Sequence, residues 1–284
     1  MRSLSWAWPQ VLLLVISHTE AEQGTQEVDT TGSVEDSYTL VVNAFRRDNL
    51  LERGLLHWAA CTEPEQIRVI WNDVQRPLPD FLKSLVKRDH RLVVDTPNTS
   101  NLTNRFLPEA FLTNAVFSVD DDVTYSCGEV KDAFRIWQQN PEKLVGFHGR
   151  HIMANGLYTA EGPNTVFITK GGFANRSFYS LYFAEEYKDL REAVNDARTG
   201  EDLLMSFLHA SNFNNSESVI EIPPYSYINM EENTPRSLRN QTGSRRQGLV
   251  KRFISYFGLP FQAAIVLPSL QSSSLGTAKT ISSH

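Results

Sequence analysis

The sequence predicts an α/β domain, a single unit built on a parallel-dominated mixed sheet with helices on both faces. Short apolar runs rich in β-branched residues alternate with longer amphipathic runs between Tyr38 and Val123. That alternation is the pattern of a parallel sheet covered on both sides. Each strand-like run also gives way to polar residues: Asn43 and Arg47, Asn72, Asn104 and Arg105, and Asp120 to Asp122. Ligands gather at the carboxyl edge of such sheets, so this convergence marks a site. Finally, 284 residues are enough for one large domain or two small ones, with ample core.

Composition narrows the function. A hydrophobic content of 41% and a charged content of 21% belong to an ordinary globular chain. The net charge of −6, without a long basic run, argues against nucleic acid as a partner. Cys61 and Cys127 allow one internal disulfide at most, and sequence alone does not say whether they meet.

The chain opens with Arg2 and a largely apolar stretch from Leu4 to Ser17, shorter than the ~20 residues a spanning helix needs. With Thr19-Glu20-Ala21 as a cleavage site, residues 1–21 read as a secretory signal peptide, an uncleaved anchor being the alternative. The expected location is the secretory pathway, in the Golgi or ER lumen, or outside the cell. Membrane attachment is expected only through that anchor. Residues 22–37 read as a flexible lead-in, 38–265 as the folded domain and 266–284 as a Ser/Thr-rich tail. Sequons at Asn98, Asn101, Asn175, Asn214 and Asn240 are weak glycan-acceptor patterns.

Tyr38 to Val42 reads as the first buried strand, followed by a helix with Leu50, Leu51, Leu55, Leu56 and Trp58 on its apolar face. Ile67 to Trp71 is the second strand, Pro77 to Val86 a short helix, and Leu92 to Val94 the third strand. Ala115 to Val119 is the fourth, and it runs into Asp120, Asp121 and Asp122. Three adjacent carboxylates repel one another unless a cation or strong donors neutralise them. Hard oxygen ligands suit Mn²⁺ or Mg²⁺, above all when the ion also holds substrate phosphates. A solvated acidic turn capping the next helix is the plainer reading. The Arg and amide side chains converging on the same edge favour a nucleotide site, because such groups grip diphosphate and base.

The second half is less regular. A helix is expected over Glu129 to Gln139 with Val130, Phe134 and Trp137 inward, then short strands at Leu144 to Phe147 and Thr165 to Thr169. Gly171-Gly172-Phe173 leads into a helix rich in Tyr and Phe. Glu201 to Leu208 is a helix whose acidic first turn suits the positive end of the dipole, so plain capping competes with function for Glu201 and Asp202. Ser218 to Ile222 is a late strand. Arg236, Arg239, Arg245, Arg246, Lys251 and Arg252 form a basic stretch, expected in a loop entering a helix. The histidines (His57, His90, His148, His151, His209) show no metal-ligand spacing, which counts against a metal-dependent phosphohydrolase.

Several of these stretches together resemble the exostosin-type glycosyltransferases. They are Trp71-Asn72, Thr103-Asn104-Arg105-Phe106, Val119-Asp120-Asp121-Asp122, Val145-Gly146-Phe147 with Arg150, and Glu201-Asp202-Leu203-Leu204-Met205-Ser206-Phe207. The resemblance covers about Tyr38 to Pro260, in order and at matching spacing. It implies a GT-A fold, with residues 38–125 as a nucleotide-binding half and 126–265 as an acceptor half. It further implies Mn²⁺-dependent, retaining transfer of a sugar, an N-acetylhexosamine or related hexose, from a nucleotide sugar to a glycan or glycolipid. UDP is the favoured nucleotide and GDP the alternative. By that resemblance Asn43, Arg47 and Asn72 hold the nucleoside, and Asn104 and Arg105 form the family's Asn-Arg pair. Asp120 and Asp121 lie around ribose and donor sugar, and Asp122 ligates the metal. Asp202 stands near the anomeric carbon with Glu201 beside it, and Arg246 (Arg245 as the fallback) beside the leaving phosphate.

Two departures stand out. The family usually carries a cysteine just before its acidic pair and another shortly after the arginine, which implies a disulfide between the two segments. Here those positions are Gly200 and Leu249, so the loop bearing Arg246 is expected to be more mobile. Asn43 is shorter than the family's common Gln and leaves base selectivity open. A GT-A domain that binds nucleotide or glycan without turnover is the competing reading.

Overall fold

The computed structural model describes residues 36–108, 111–162, 165–213, 218–224, 226, 228–230, 236–261 and 265–266. The expected signal peptide, nearly all of the lead-in, the tail beyond Val266 and the sequon at Asn214 lie outside the described residues, as do the side chains of Arg236, Arg239 and Asn240.

The first half follows the predicted order: β1 (Tyr38–Ala44), α1 (Asp48–Ala60), β2 (Pro64–Trp71), α2 (Asp80–Arg88), β3 (Leu92–Asp95), a short 3-10 helix at Leu102–Phe106, and β4 (Ala115–Asp120). All seven residues of β1 are buried. Burial without alternation means both faces of the strand are covered. Leu40 and Val42 pack into one core layer and Val41 into the other. β1 lies parallel between β2 and β4, and β3 lies parallel beyond β2.

The second half adds β5 (Val123–Thr124), α3 (Cys127–Gln138), β6 (Leu144–Gly146), β7 (Gly149–Ile152), β8 (Tyr158–Thr159), β9 (Val166–Phe167) and β10 (Gly171–Asn175). It continues with α4 (Arg176–Tyr182), α5 (Lys188–Ala197), α6 (Glu201–Phe213), β11 (Val219–Glu221), β12 (Ile228–Asn229), α7 (Arg236–Phe257) and β13 (Ile265–Val266). The main sheet has eight strands in the order β13-β11-β6-β10-β4-β1-β2-β3, so it runs through both halves of the chain. β10 is antiparallel to both of its neighbours and the remaining pairs are parallel. Trp58, Phe134 and Trp137 pack one face with Tyr38, Phe117 and Phe173. Tyr179, Tyr182, Leu204, Phe207 and Phe253 cover the other.

Three expectations need correction. Leu56 is 54% exposed, while Leu51, Leu55 and Trp58 form the buried stripe of α1. Position 56 lies about 100° round the helix from Leu55, at the stripe's outer edge. Gly171 and Gly172 do not merely precede a helix; they begin β10, the strand that joins the two halves of the sheet. Glycine is a poor strand former. Here a Cβ at Gly171 would overlap the Tyr125 ring, and one at Gly172 the Phe167 ring. Finally, Arg245 and Arg246 lie within α7, not in a loop.

Cys61 and Cys127 are bonded to each other and join the end of α1 to the start of α3. Ser126 caps α3 in a reciprocal capping box with Glu129.

Candidate active site

One edge of the candidate site is built from amides. Asn43 is the last residue but one of β1, Asn72 follows β2, and Asn104 sits in the 3-10 helix, all buried. Asn104 donates Nδ2–H to Asn72 Oδ1 at 2.7 Å and to the Thr99 carbonyl at 2.6 Å. Asn72 donates in turn to Asn43 Oδ1 at 2.5 Å. The ladder fixes three donor–acceptor groups across neighbouring strand ends. Buried amides satisfied by one another are held in fixed orientations.

The acidic turn lies beside it. Arg47 donates to Asp121 through Nη2 and to Asp122 Oδ2 through Nη1 at 2.5 Å. The Phe45 N–H donates to Asp121 Oδ2 at 3.2 Å. Burial opposes the charge of Arg47, but Asp121 and Asp122 outweigh it and hold the guanidinium above its ordinary pKa. Asp121 is pushed up to about 7 by burial, against the pull of Arg47 and the Phe45 amide. Arg105 is buried and donates to Asp120, to Thr169 Oγ1 and to the Thr169 carbonyl. Two guanidiniums, Arg47 and Arg105, thus reach the three carboxylates of the turn.

Arg105 also joins the two halves of the site. Its Nη1 is 3.8 Å from Glu201 Oε1, at the start of α6. The chain reaches that helix through a sharp turn with Arg198 (φ 50°) and Gly200 (φ 86°) both left-handed. The turn delivers Glu201 and Asp202 inward, where burial and then Asp202 push Glu201 up to about 7. Asp202 is 3% exposed and meets Arg246, whose Nη2 lies 2.8 Å from each carboxylate oxygen. Arg246 also donates through Nε to Tyr158 Oη at 3.1 Å and through Nη1 to Thr199 Oγ1 at 3.2 Å. Its guanidinium lies 5.1 Å from the centroid of the Tyr158 ring. Burial works against its charge, yet Asp202 and Tyr158 hold it above the ordinary arginine value. Arg245, one residue away, is exposed.

The structure therefore brings together Asn43, Asn72 and Asn104; Arg47, Asp121 and Asp122; and Asp120, Arg105, Glu201, Asp202 and Arg246 as a connected series. Tyr158, Thr169 and Thr199 escaped the sequence reading. Tyr158 lies on a two-residue strand, too short for a periodic signal, and the two threonines give no local pattern.

The donor set fits a hard divalent ion. Asp122 supplies carboxylate oxygens at a strand end, and such ions are held by one or two carboxylates plus substrate phosphates. Among the described residues one group of His, Cys, Asp or Glu has close ligand spacing, His57, Cys61 and Cys127, and its two sulfurs are bonded to each other.

Residues 38–266 match the model of the glycosyl transferase family 64 domain. The chain is 30% identical over 198 residues to glycosylinositol phosphorylceramide mannosyl transferase 1 of Arabidopsis thaliana, covering 61% of this chain and 59% of that protein. It is 29% identical over 249 residues to glucosamine inositolphosphorylceramide transferase 1 of Oryza sativa subsp. japonica, covering 83% of this chain and 33% of that protein. With exostosin-like 2 of Mus musculus it shares 29% identity over 216 residues, covering 70% of this chain and 64% of that protein. In each case the match spans less than two thirds of the relative's length.

Proposed function

The chain belongs to glycosyl transferase family 64, and on that premise we propose that it is a metal-dependent, retaining transferase of a sugar from a nucleotide sugar. The acceptor is a glycan or glycolipid, and the transferred sugar an N-acetylhexosamine or related hexose. The observation that carries this reading is the buried Arg105, which touches Asp120 on one side and lies within ion-pair distance of Glu201 on the other. One connected set of charges thereby links the nucleotide edge to the Asp202–Arg246 pair.

In the proposed reaction Asn43, Asn72 and Asn104 hold the nucleoside of a UDP-sugar, or of a GDP-sugar, and Arg47 and Arg105 orient the acidic turn. Asp122 would hold Mn²⁺, or Mg²⁺ in its place, and the ion would supply positive charge to the diphosphate. Departure of the nucleoside diphosphate builds charge on the β-phosphate, which the fixed Arg246 guanidinium stabilises. Asp202, ion-paired to Arg246, is the carboxylate that stabilises positive charge at the anomeric carbon or orients the acceptor hydroxyl. Asp120, Asp121 and Glu201 shape the sugar subsite. Residues 38–125 serve the nucleotide and 126–265 the acceptor.

We also propose residence in the secretory pathway, in the Golgi or ER lumen. The Cys61–Cys127 bond supports an oxidising compartment. Among the described residues no helix is long and apolar enough to cross a membrane. The test of function is a panel of UDP- and GDP-sugars with Mn²⁺, scored by nucleotide release. Metal-dependent release with at least one donor is expected. Silence across the whole panel would leave only the non-catalytic binding reading.

A further inference from the structure

Glu129 is 1% exposed and lies in the first turn of α3. A capping box would employ it only toward Ser126, whose N–H donates to Oε2 at 3.3 Å and whose Oγ–H donates at 3.0 Å. Its carboxylate does more. The Ser226 N–H donates to Oε1 at 3.0 Å, and the Ser226 hydroxyl donates to Oε2. A side chain on α3 thus holds a backbone segment nearly a hundred residues later, through both an N–H and an O–H donor of the same serine.

That segment leads directly back to the acidic turn. Two residues after Ser226, β12 pairs antiparallel with β5, Ile228 opposite Thr124 and Asn229 opposite Val123. The next amide, Met230 N–H, donates to the carbonyl of Asp122 at 2.7 Å. The peptide that carries Asp122 is therefore tied from outside β4. A two-residue ladder holds little by itself, and the bonds at Ser226 supply an anchor two residues before β12.

We infer that Glu129 is a positioning residue for the acidic turn: through Ser226 and β12 it fixes the backbone of Asp122. Its role resembles that of the groups behind metal ligands, whose loss typically costs about 10–100-fold in metal affinity. The inference rests on the metal assignment for Asp122, so its test needs one arm that uses no metal.

The test compares the full-length protein with Glu129→Gln, with the milder Ser226→Ala, and with Lys131→Ala, an exposed change on the same helix. In the first arm, amide hydrogen exchange is followed at Asn229 and Met230. Protection should fall at least tenfold in Glu129→Gln, fall less in Ser226→Ala and stay at the wild-type level in Lys131→Ala. In the second arm, Mn²⁺-dependent UDP and GDP binding is titrated by calorimetry. Glu129→Gln should bind about 10–100-fold more weakly, with kcat for bound donor little altered. Unchanged exchange at Met230 in both Glu129→Gln and Ser226→Ala overturns the inference whatever the metal does. Lost protection with wild-type Mn²⁺-dependent affinity overturns it too, because the tether would then be purely structural. If the wild type shows no Mn²⁺-dependent binding, the metal reading fails, and the exchange arm alone decides whether Glu129 sets the turn.

Discussion

Leu249 packs onto Gly200, its Cδ1 standing 2.5 Å from where a Cβ on residue 200 would be. These are the two positions at which the exostosin-type resemblance leads one to expect a pair of bonded cysteines. Gly200 immediately precedes Glu201, and Leu249 lies one turn of α7 beyond Arg246. The apolar contact therefore joins the same two helices that the Asp202–Arg246 pair joins, and the sites of the absent pair lie side by side.

Gly200→Ala should destabilise the protein by roughly 2 kcal/mol, from a left-handed backbone that L side chains rarely adopt and from overlap with Leu249. Adding Leu249→Ala to it should relieve the overlap but leave the backbone part. Denaturant unfolding of the single and double variants measures both. A Gly200→Ala protein as stable as wild type would contradict the strained turn.

Asp202→Asn and Arg246→Ala should each lower kcat by on the order of 10²–10³ while nucleotide affinity changes little. Arg246→Ala also strands a buried carboxylate, so its melting temperature should fall, whereas Arg245→Ala, on an exposed position, should alter neither quantity. Steady-state kinetics with donor titration separates these outcomes. Loss of turnover in Arg245→Ala with Arg246→Ala spared would shift the assignment by one residue.

Glu201 brings a pH dependence. Its folded pKa lies at about 7 against an ordinary 4.5, because burial and Asp202 disfavour the charged form. At this group the folded state therefore binds more protons than the unfolded state between those values, and the stability that Glu201 contributes falls as pH rises from about 4.5 to about 7. Glu201→Gln should flatten that part of the profile. Thermal melts across the window would show an unaltered slope if Glu201 were not responsible.

Much of this was legible in the sequence, for physical reasons that differ by region. β1, β2 and β4 announce themselves because strands buried on both faces need continuous Val, Leu, Ile and Phe. The polar residues that follow them become the site because parallel strands deliver all their carboxyl ends to one edge. β10 stayed hidden because Gly171 and Gly172 are there to admit the Tyr125 and Phe167 rings, a tertiary demand with no local signature. The sequence suggests a loop near Arg245 where α7 runs, because Gly243 and Gly248 weaken a helix on propensity alone. The meeting of Arg246 with Tyr158 and Thr199, and of Glu129 with Ser226, depends on long-range contacts that periodicity does not encode.

The Cys61–Cys127 bond closes a sequence separation of 66 residues between α1 and α3. Replacing both cysteines with serine should cost about 2–4 kcal/mol, chiefly by freeing the unfolded chain. Chemical unfolding with and without reductant reads the difference. Equal stability in both conditions would mean the bond adds nothing to the fold.

In the proposed function Asp122 holds a divalent ion against the diphosphate of a bound nucleotide. This role is tested most directly by calorimetric titration of UDP and of GDP, with and without Mn²⁺, into the wild type and Asp122→Ala. Nucleotide should bind the wild type in a Mn²⁺-dependent manner, and that dependence should vanish in Asp122→Ala. Mn²⁺-dependent binding left unchanged in Asp122→Ala would contradict it.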